Sequence, residues 1–193
     1  MQLPPFVDPL LDQGPDARDV TDITFDNRDW LKPLVSGVLG CLVNADTVKA
    51  AEQSFRAHGY AHLALCTSAE GPYLYLRLAP DGQMAPWTVE NVTVVLTLAG
   101  TVAVEMYRSE ELLKEGPDYA RSFGVGQVFC AHPEVQCATQ SSHDGMQLAV
   151  SRTPAGSDAH ALSLNEYLKL EQSARWRLEE LLQNPNSPWG VAQ

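Results

Sequence analysis

The feature that most constrains this chain is a change in the period of its apolar residues near residue 60. Before that point apolar residues recur every three or four positions, which is typical of helices, and after it they alternate or form short β-branched runs. Seven runs fit strands, and turn residues separate them: 60–66, 73–79, 92–98, 101–107, 127–131, 135–139 and 146–152. Short strands at this spacing predict a sandwich or barrel rather than alternating strands and helices.

The same pattern divides the chain into four segments: an acidic arm at 1–29, a helical segment at 30–59, a β-barrel at 60–155, and a C-terminal helix and tail at 156–193. We expect 30–193 to form one structural domain. Proline and glycine oppose a long helix in the arm, so its apolar residues, Phe6, Leu10, Leu11, Ile23 and Phe25, are expected to dock on the main body.

Capping residues predict where the helices begin. Asp46 is placed to cap a helix that runs through Phe55 to a stop at Gly59. Ser163 and Glu166 fit a capping box at the start of the C-terminal helix. That helix is expected either to pack outside the barrel or to form a dimer contact.

Charge and composition exclude several classes of partner. The chain has 13 Lys and Arg against 24 Asp and Glu, a net charge of -11, and no basic run that could contact phosphates. Its apolar stretches are far shorter than the roughly 20 residues that span a bilayer, and the N-terminus lacks the basic and apolar regions of a signal peptide. Four cysteines without a CxxC pair indicate a reducing compartment, so we expect a cytoplasmic protein. From the charge and the short apolar stretches we expect no nucleic-acid or membrane partner. We also expect a homodimer.

Two blocks of the β region resemble the cupin superfamily. The first runs from Gly82 through Trp87-Thr88-Val89-Glu90 into the strand at 92–98 and the Ala99-Gly100 turn. The second runs from Gly126 through His132-Pro133 and Cys137 to the Asp144-Gly145 turn. More narrowly, the helical N-terminal part and the run from Gly82 to Pro86 resemble the thiol dioxygenase branch, that of cysteine dioxygenase. The resemblance implies a mainly β fold, a double-stranded β-helix barrel with flanking N- and C-terminal helices.

The metal-ligand positions implied by this resemblance carry unusual residues. The His-x-His pair of cupins falls on Thr88 and Glu90, and the later histidine falls on Cys137. No histidine lies between His62 and His132. The resemblance therefore implies no ordinary three-histidine centre. A divalent metal such as Fe would need Glu90, His132 and Cys137, and the alternative is a barrel without a cofactor.

Two residues are candidates for catalysis. Cys137 should point into the barrel, where it is either a nucleophile, with a pKa lowered by His132, or a small buried apolar residue. Cys130 could pair with it. Glu90 is either an inward carboxyl acting as general acid or base, or an exposed loop carboxylate.

Four residues are candidates for ligand binding: Arg77, Trp87, Thr88 and His132. Arg77 belongs to a polar set that alternates with Leu74, Leu76 and Leu78. If that set faces inward, Arg77 anchors an anionic ligand; otherwise it is a surface residue, which is the position we expect. Trp87 could wall the mouth of the cavity or pack against the arm.

Two classes of function remain open. One is an enzyme that transforms a small organic molecule in the barrel, of dioxygenase or lyase type by resemblance. The other is a barrel that binds or senses a small ligand without catalysis. The nature of the barrel interior separates them, because an enzyme needs a perturbed carboxyl or thiol there.

Overall fold

A computed structural model describes residues 1–12, 29–65, 71–79, 85–107, 116–133, 135–152 and 159–187. Its helices are α1 (Val7–Leu11), α2 (Leu31–Asn44), α3 (Thr47–Gln53) and α4 (Leu164–Gln183). Its strands are β1 (Phe55–Ala57), β2 (Tyr60–Ala64), β3 (Tyr73–Leu78), β4 (Ala85–Trp87), β5 (Thr93–Ala99), β6 (Val102–Tyr107), β7 (Tyr119–Phe123), β8 (Val128–Ala131), β9 (Gln136–Ser141), β10 (Met146–Ser151) and β11 (His160–Ala161).

The strands form two antiparallel sheets whose order shows the topology. The large sheet runs β11-β1-β2-β3-β10-β5-β8 and the small sheet runs β4-β9-β6-β7. Of the eight strands from β3 to β10, the large sheet contains β3, β5, β8 and β10, and the small sheet contains β4, β6, β7 and β9. This eight-stranded order is a jelly roll, and β2, β1 and β11 extend its large sheet.

All seven runs expected to be strands are strands, but the expected end of the helical segment is wrong. The helix capped by Asp46, which accepts a hydrogen bond from the Lys49 amide, ends at Gln53. Phe55–Ala57 instead forms β1, which pairs with β2. The reason is the two-residue turn between them, where His58 (φ 51°) and Gly59 (φ 78°) both have the positive φ of a hairpin turn.

The helices cover the outer face of the large sheet. Leu74, Leu76 and Leu78 of β3 belong to one apolar core with residues from all four helices. In α1, Leu10 and Leu11 are buried in this core, so the expected docking of those two residues is confirmed. Residues 13–28 of the acidic arm, Ile23 and Phe25 among them, lie outside the described residues.

The inner face of the large sheet packs against the small sheet. A second apolar core joins the two sheets, with Val95 and Phe129 from the large sheet and Val104, Met106 and Phe123 from the small one. Both faces of β3 are therefore buried, one against the helices and the other between the two sheets.

Among the described residues, no single helix is long and apolar enough to cross a membrane. The helices α2 and α3 reach that length and composition only together, across a bend of 112°.

Replacing the cap of α4 should test how firmly this helix is anchored. Ser163 and Glu166 form the expected capping box. We expect Ser163→Ala to lower the free energy of unfolding by about 1 kcal/mol, because an amide at the helix start loses its acceptor. Urea unfolding measures the change. Ser173→Ala, on the exposed side of the same helix, is the control and should be neutral or slightly stabilising, and an equal loss in both variants would contradict a specific cap.

Candidate functional site

Arg77 lies on the inner face of β3 and has no solvent exposure. Its guanidinium carbon is 3.5 Å from the centre of the Tyr60 ring and 4.3 Å from the centre of the Trp87 ring. Its Nη2 donates a hydrogen bond of 3.0 Å to Thr139 Oγ1 on the opposite sheet. The guanidinium is therefore held between two aromatic rings in the interior.

The expected surface position of Arg77 is wrong because of the residues that alternate with it along β3. Leu74, Leu76 and Leu78 pack under the helices, so the residues between them face the other sheet. The second alternative, an inward Arg77, is the one observed.

Three further polar side chains share the register of Arg77 on the inner face of the large sheet. His62 on β2 and Gln147 on β10 lie directly opposite Arg77, and Thr97 on β5 lies opposite Gln147. We call His62, Arg77, Gln147 and Thr97 the polar row. All four are buried, and Arg77, Gln147 and Thr97 have no exposure at all.

Several polar atoms of this region have no hydrogen-bond partner among the described residues. They are Arg77 Nε and Nη1, His62 Nε2, Gln147 Oε1, Thr97 Oγ1 and Tyr60 Oη. A buried polar atom without a partner typically costs about 1–3 kcal/mol, and native proteins contain few of them. Six such atoms on five neighbouring positions leave hydrogen-bonding capacity that either water or another polar molecule can satisfy.

The charge of Arg77 is not balanced by a buried carboxylate in the described part of the chain. Glu171 is the one buried acidic residue there, and it lies on α4, where it pairs with Arg175. Burial lowers the pKa of Arg77 to about 10, while Tyr60 and Cys137 act in the opposite direction. The guanidinium is therefore still protonated at neutral pH, and it is a positive charge inside the protein.

Cys137 points inward as expected, into the core between the sheets. It lies opposite Trp87 in the pairing of β4 with β9. Burial raises the pKa of Cys137 to about 12, against the opposing effect of Arg77. Cys130 lies in the other core, between the sheet and the helices, so the two cysteines do not form the pair that the sequence allowed.

The structure does not bring the remaining expected site residues together. Thr88 and Glu90 are exposed on the loop between β4 and β5, so Glu90 is the exposed loop carboxylate of the two alternatives, and neither residue has the inward position that the resemblance implies. Trp87 is the inward residue at this point, and it contacts Arg77. His132 is buried at the end of β8, where neither ring nitrogen has a hydrogen-bond partner in the described part of the chain, and burial lowers its pKa.

These positions do not fit a divalent metal. Among the described residues, no three His, Cys, Asp or Glu side chains come close enough to hold a metal ion, so Glu90, His132 and Cys137 do not form the set considered from the sequence. The Arg77 guanidinium near Cys137 would also repel a divalent cation. The donors present therefore suit an anion.

Comparisons with known proteins give distant similarities in structure alone. No family model matches the chain, and no curated protein matches it. Hydroxypropylphosphonic acid epoxidase from S. wedmorenis has a TM-score of 0.38 and 14% identity over 48% of this chain and 50% of its own. The chain thus spans about half the length of the epoxidase structures it matches.

Two shorter proteins are matched over more of their length. BH2720 from Bacillus halodurans has a TM-score of 0.39 and 9% identity over 60% of this chain and 83% of its own. KdgF from Halomonas sp. has a TM-score of 0.38 and 11% identity over 58% of this chain and 91% of its own.

Because these scores are low, the strand order of this chain decides the fold. Eight strands divided between two sheets as described above form the double-sheet jelly roll found in cupins. The chain has a cupin-like jelly-roll fold. Its flanking helices also agree with the expected cupin-like arrangement, whereas the narrower resemblance to the thiol dioxygenase branch stays a prediction.

Most of the polar interior was not predicted from the sequence. Tyr60, His62, Thr97, Thr139 and Gln147 were not candidates. The available signal was their apolar surroundings, since Thr97 lies between Leu96 and Leu98 and Gln147 lies between Met146 and Leu148.

The thiol of Cys137 should be unreactive in the folded protein. With a pKa of about 12, about one thiol in ten thousand is ionised at about pH 8, and the thiolate is the reactive form. Iodoacetamide followed by peptide mass spectrometry should leave Cys137 and Cys130 unmodified and should modify the partly exposed Cys41. Modification of Cys137 as fast as in urea would contradict the assignment.

Burial of His62 should make the protein less stable in mild acid. Burial, Arg77 and His58 together lower the pKa of His62 well below its usual value. The unfolded chain therefore takes up a proton on His62 at about pH 6.5, whereas the folded chain does not. The free energy of unfolding consequently decreases as the pH falls below that value. Urea unfolding between about pH 7.5 and about pH 5.5 measures this loss.

The contribution of His62 is separated by comparing variants. His62→Phe should reduce the loss of stability on acidification, since the phenyl ring can stack on Phe55 as the imidazole does, at 4.6 Å between ring centres. His160→Phe, at an exposed position on β11, should leave the loss unchanged. The same pH dependence in wild type and His62→Phe would show that His62 titrates normally.

Proposed function

We propose that this chain binds a small organic anion between its two sheets, with Arg77 contacting the negative charge. The observation that supports this most directly is a fully buried guanidinium whose Nε and Nη1 have no described partner. A protonated arginine in a low-dielectric interior attracts an anion much more strongly than one at the surface. Planar, charge-assisted hydrogen bonds to a carboxylate or phosphate are the usual use of such a group.

The surroundings of Arg77 support a role in recognition. Tyr60 and Trp87 cover the guanidinium faces, and Thr139 accepts one of its hydrogen bonds. The remaining donors therefore lie on the edge of the guanidinium, in a fixed plane. A side chain held in this way loses little conformational entropy when an anion binds.

Binding without catalysis is favoured over the dioxygenase or lyase activities implied by the sequence resemblance. Of the two residues assigned to catalysis, Glu90 is exposed on a loop and Cys137 is a protonated thiol at neutral pH. Neither is a base or nucleophile near Arg77. What supports a small ligand is thus the polar row and the rings around it.

Removing the guanidinium should abolish anion binding while leaving the fold intact. Saturation-transfer NMR with acetate and with acetamide, its neutral counterpart, should detect acetate alone in the wild type and neither in Arg77→Met. Arg77→Lys keeps a charge but loses the planar edge, and we expect it to weaken binding by about tenfold. Arg56→Met, which removes an exposed arginine at the ion pair with Glu166, is the control for net charge.

The stability of Arg77→Met distinguishes a binding role from a structural one. Replacing a buried charge by an apolar side chain is often neutral or stabilising by about 1 kcal/mol or more, so we expect no loss in urea unfolding without ligand. A loss of several kcal/mol, or acetate binding equal to that of the wild type, would show that Arg77 mainly holds the sheets together.

A further inference from the structure

We infer that the anion carries a neutral hydroxyl group, so that the ligand class is a hydroxycarboxylate. This inference rests on the proposed function and adds a second point of contact to it. The evidence is the pair of residues on either side of Arg77 in the polar row. Each of them presents a hydrogen-bond acceptor that has no described donor.

The orientation of the Gln147 amide follows from its neighbours. Gln147 Nε2 donates to Ser141 Oγ at 3.1 Å, and Ser141 Oγ is 3.4 Å from the carbonyl oxygen of Thr101, to which it donates. Since the one hydroxyl proton of Ser141 is used there, Ser141 can only accept from Gln147. The amide nitrogen must face Ser141, which leaves Gln147 Oε1 as an acceptor without a donor.

The opposite neighbour, His62, presents a second acceptor. Its imidazole is neutral at pH 7, since burial and Arg77 lower its pKa, and a hydrogen bond to the Ala57 backbone opposes that shift. A bond that raises a histidine pKa is one that the ring donates to a carbonyl. The proton is then on Nδ1, and the unpartnered Nε2 is an acceptor.

Two acceptors beside a cation select what the ligand carries next to its negative charge. A carboxylate on Arg77 meets Gln147 and His62 at the same register of neighbouring strands, so a substituent close to the carboxylate is within reach of an acceptor. That substituent must be a hydrogen-bond donor. An acceptor facing Gln147 Oε1 or His62 Nε2 would be repelled, and both groups would be buried without a hydrogen bond.

The donor is a hydroxyl rather than an ammonium group. The one buried carboxylate of the described residues, Glu171, is on α4, so no described carboxylate would neutralise an ammonium group beside the Arg77 guanidinium. Like charges at this depth repel strongly. Arg77, the one buried Arg among the residues that the structure describes, also matches one negative charge, which favours a monocarboxylate over a phosphate dianion.

Three probes that differ in one substituent test the inference: propionate, lactate and alanine carry hydrogen, hydroxyl and ammonium on the same carbon. In wild type we expect lactate to bind about fivefold more tightly than propionate, the effect of one neutral hydrogen bond, and alanine to bind most weakly. Titrations followed by saturation-transfer NMR or calorimetry give the three affinities, and inorganic phosphate serves as a fourth probe.

Variants then assign the preference to its residue. Gln147→Met, which keeps the length of the side chain, or His62→Phe should lose the preference for lactate over propionate. Gln140→Met, on the exposed face of β9, is the matched control and should keep the preference. Urea unfolding of each variant confirms that it is folded.

The outcomes separate this inference from the proposed function. Equal binding of lactate and propionate, or a lactate preference that survives in both Gln147→Met and His62→Phe, would overturn the hydroxyl assignment and leave the anion site standing. Tighter binding of alanine or of phosphate would overturn it as well, in favour of an amino acid or a dianion. No binding of any of the four probes would overturn the proposed function and this inference together.

Discussion

The interior of this protein is organised around one buried guanidinium. Arg77 on the large sheet lies against Trp87 of the small sheet and donates to Thr139, also of the small sheet, so its contacts join the two halves of the jelly roll. A desolvated cation–π contact contributes about 2 kcal/mol, and a hydrogen bond from a charged group about 1.5–3 kcal/mol. These gains oppose the desolvation of the charge, which is several kcal/mol per ion. The balance leaves a positive site whose remaining donors are directed into the protein.

The fold could be predicted largely from the period of the sequence. Each of the seven runs contained enough alternating or β-branched residues to specify a strand whatever its neighbours were. The strands that escaped prediction are β1, β4, β7 and β11. They have two to five residues, and β4 contains Pro86, so their conformation depends on the partner strand rather than on local preference. Helix α3 ended early because the His58-Gly59 turn allows a hairpin that local helical spacing does not reveal.

The site was less predictable because both faces of β3 are buried. Alternation separates Leu76 from Arg77 but does not say which of them faces the helices, and that choice depends on the tertiary placement of α2 and α4. The resemblance to cupins placed Thr88 and Glu90 where ligands would be, whereas the inward position on β4 is Trp87. A shift of one position along an extended strand exchanges inside and outside, and sequence alone does not specify the register at that level.

The two-faced strands have a consequence for how such a protein can diverge. The leucines of β3 belong to the core under the helices. The polar row lies on the opposite face of the same sheet, where Arg77 contacts Trp87 of the core between the sheets. Point substitutions at Gln147, Thr97 or His62 can change the polar surface between the sheets without disturbing the packing under the helices. An insertion or deletion within β3, by contrast, would exchange both faces at once. The spacing of β3 is therefore under a stronger constraint than the identity of any one residue of the polar row.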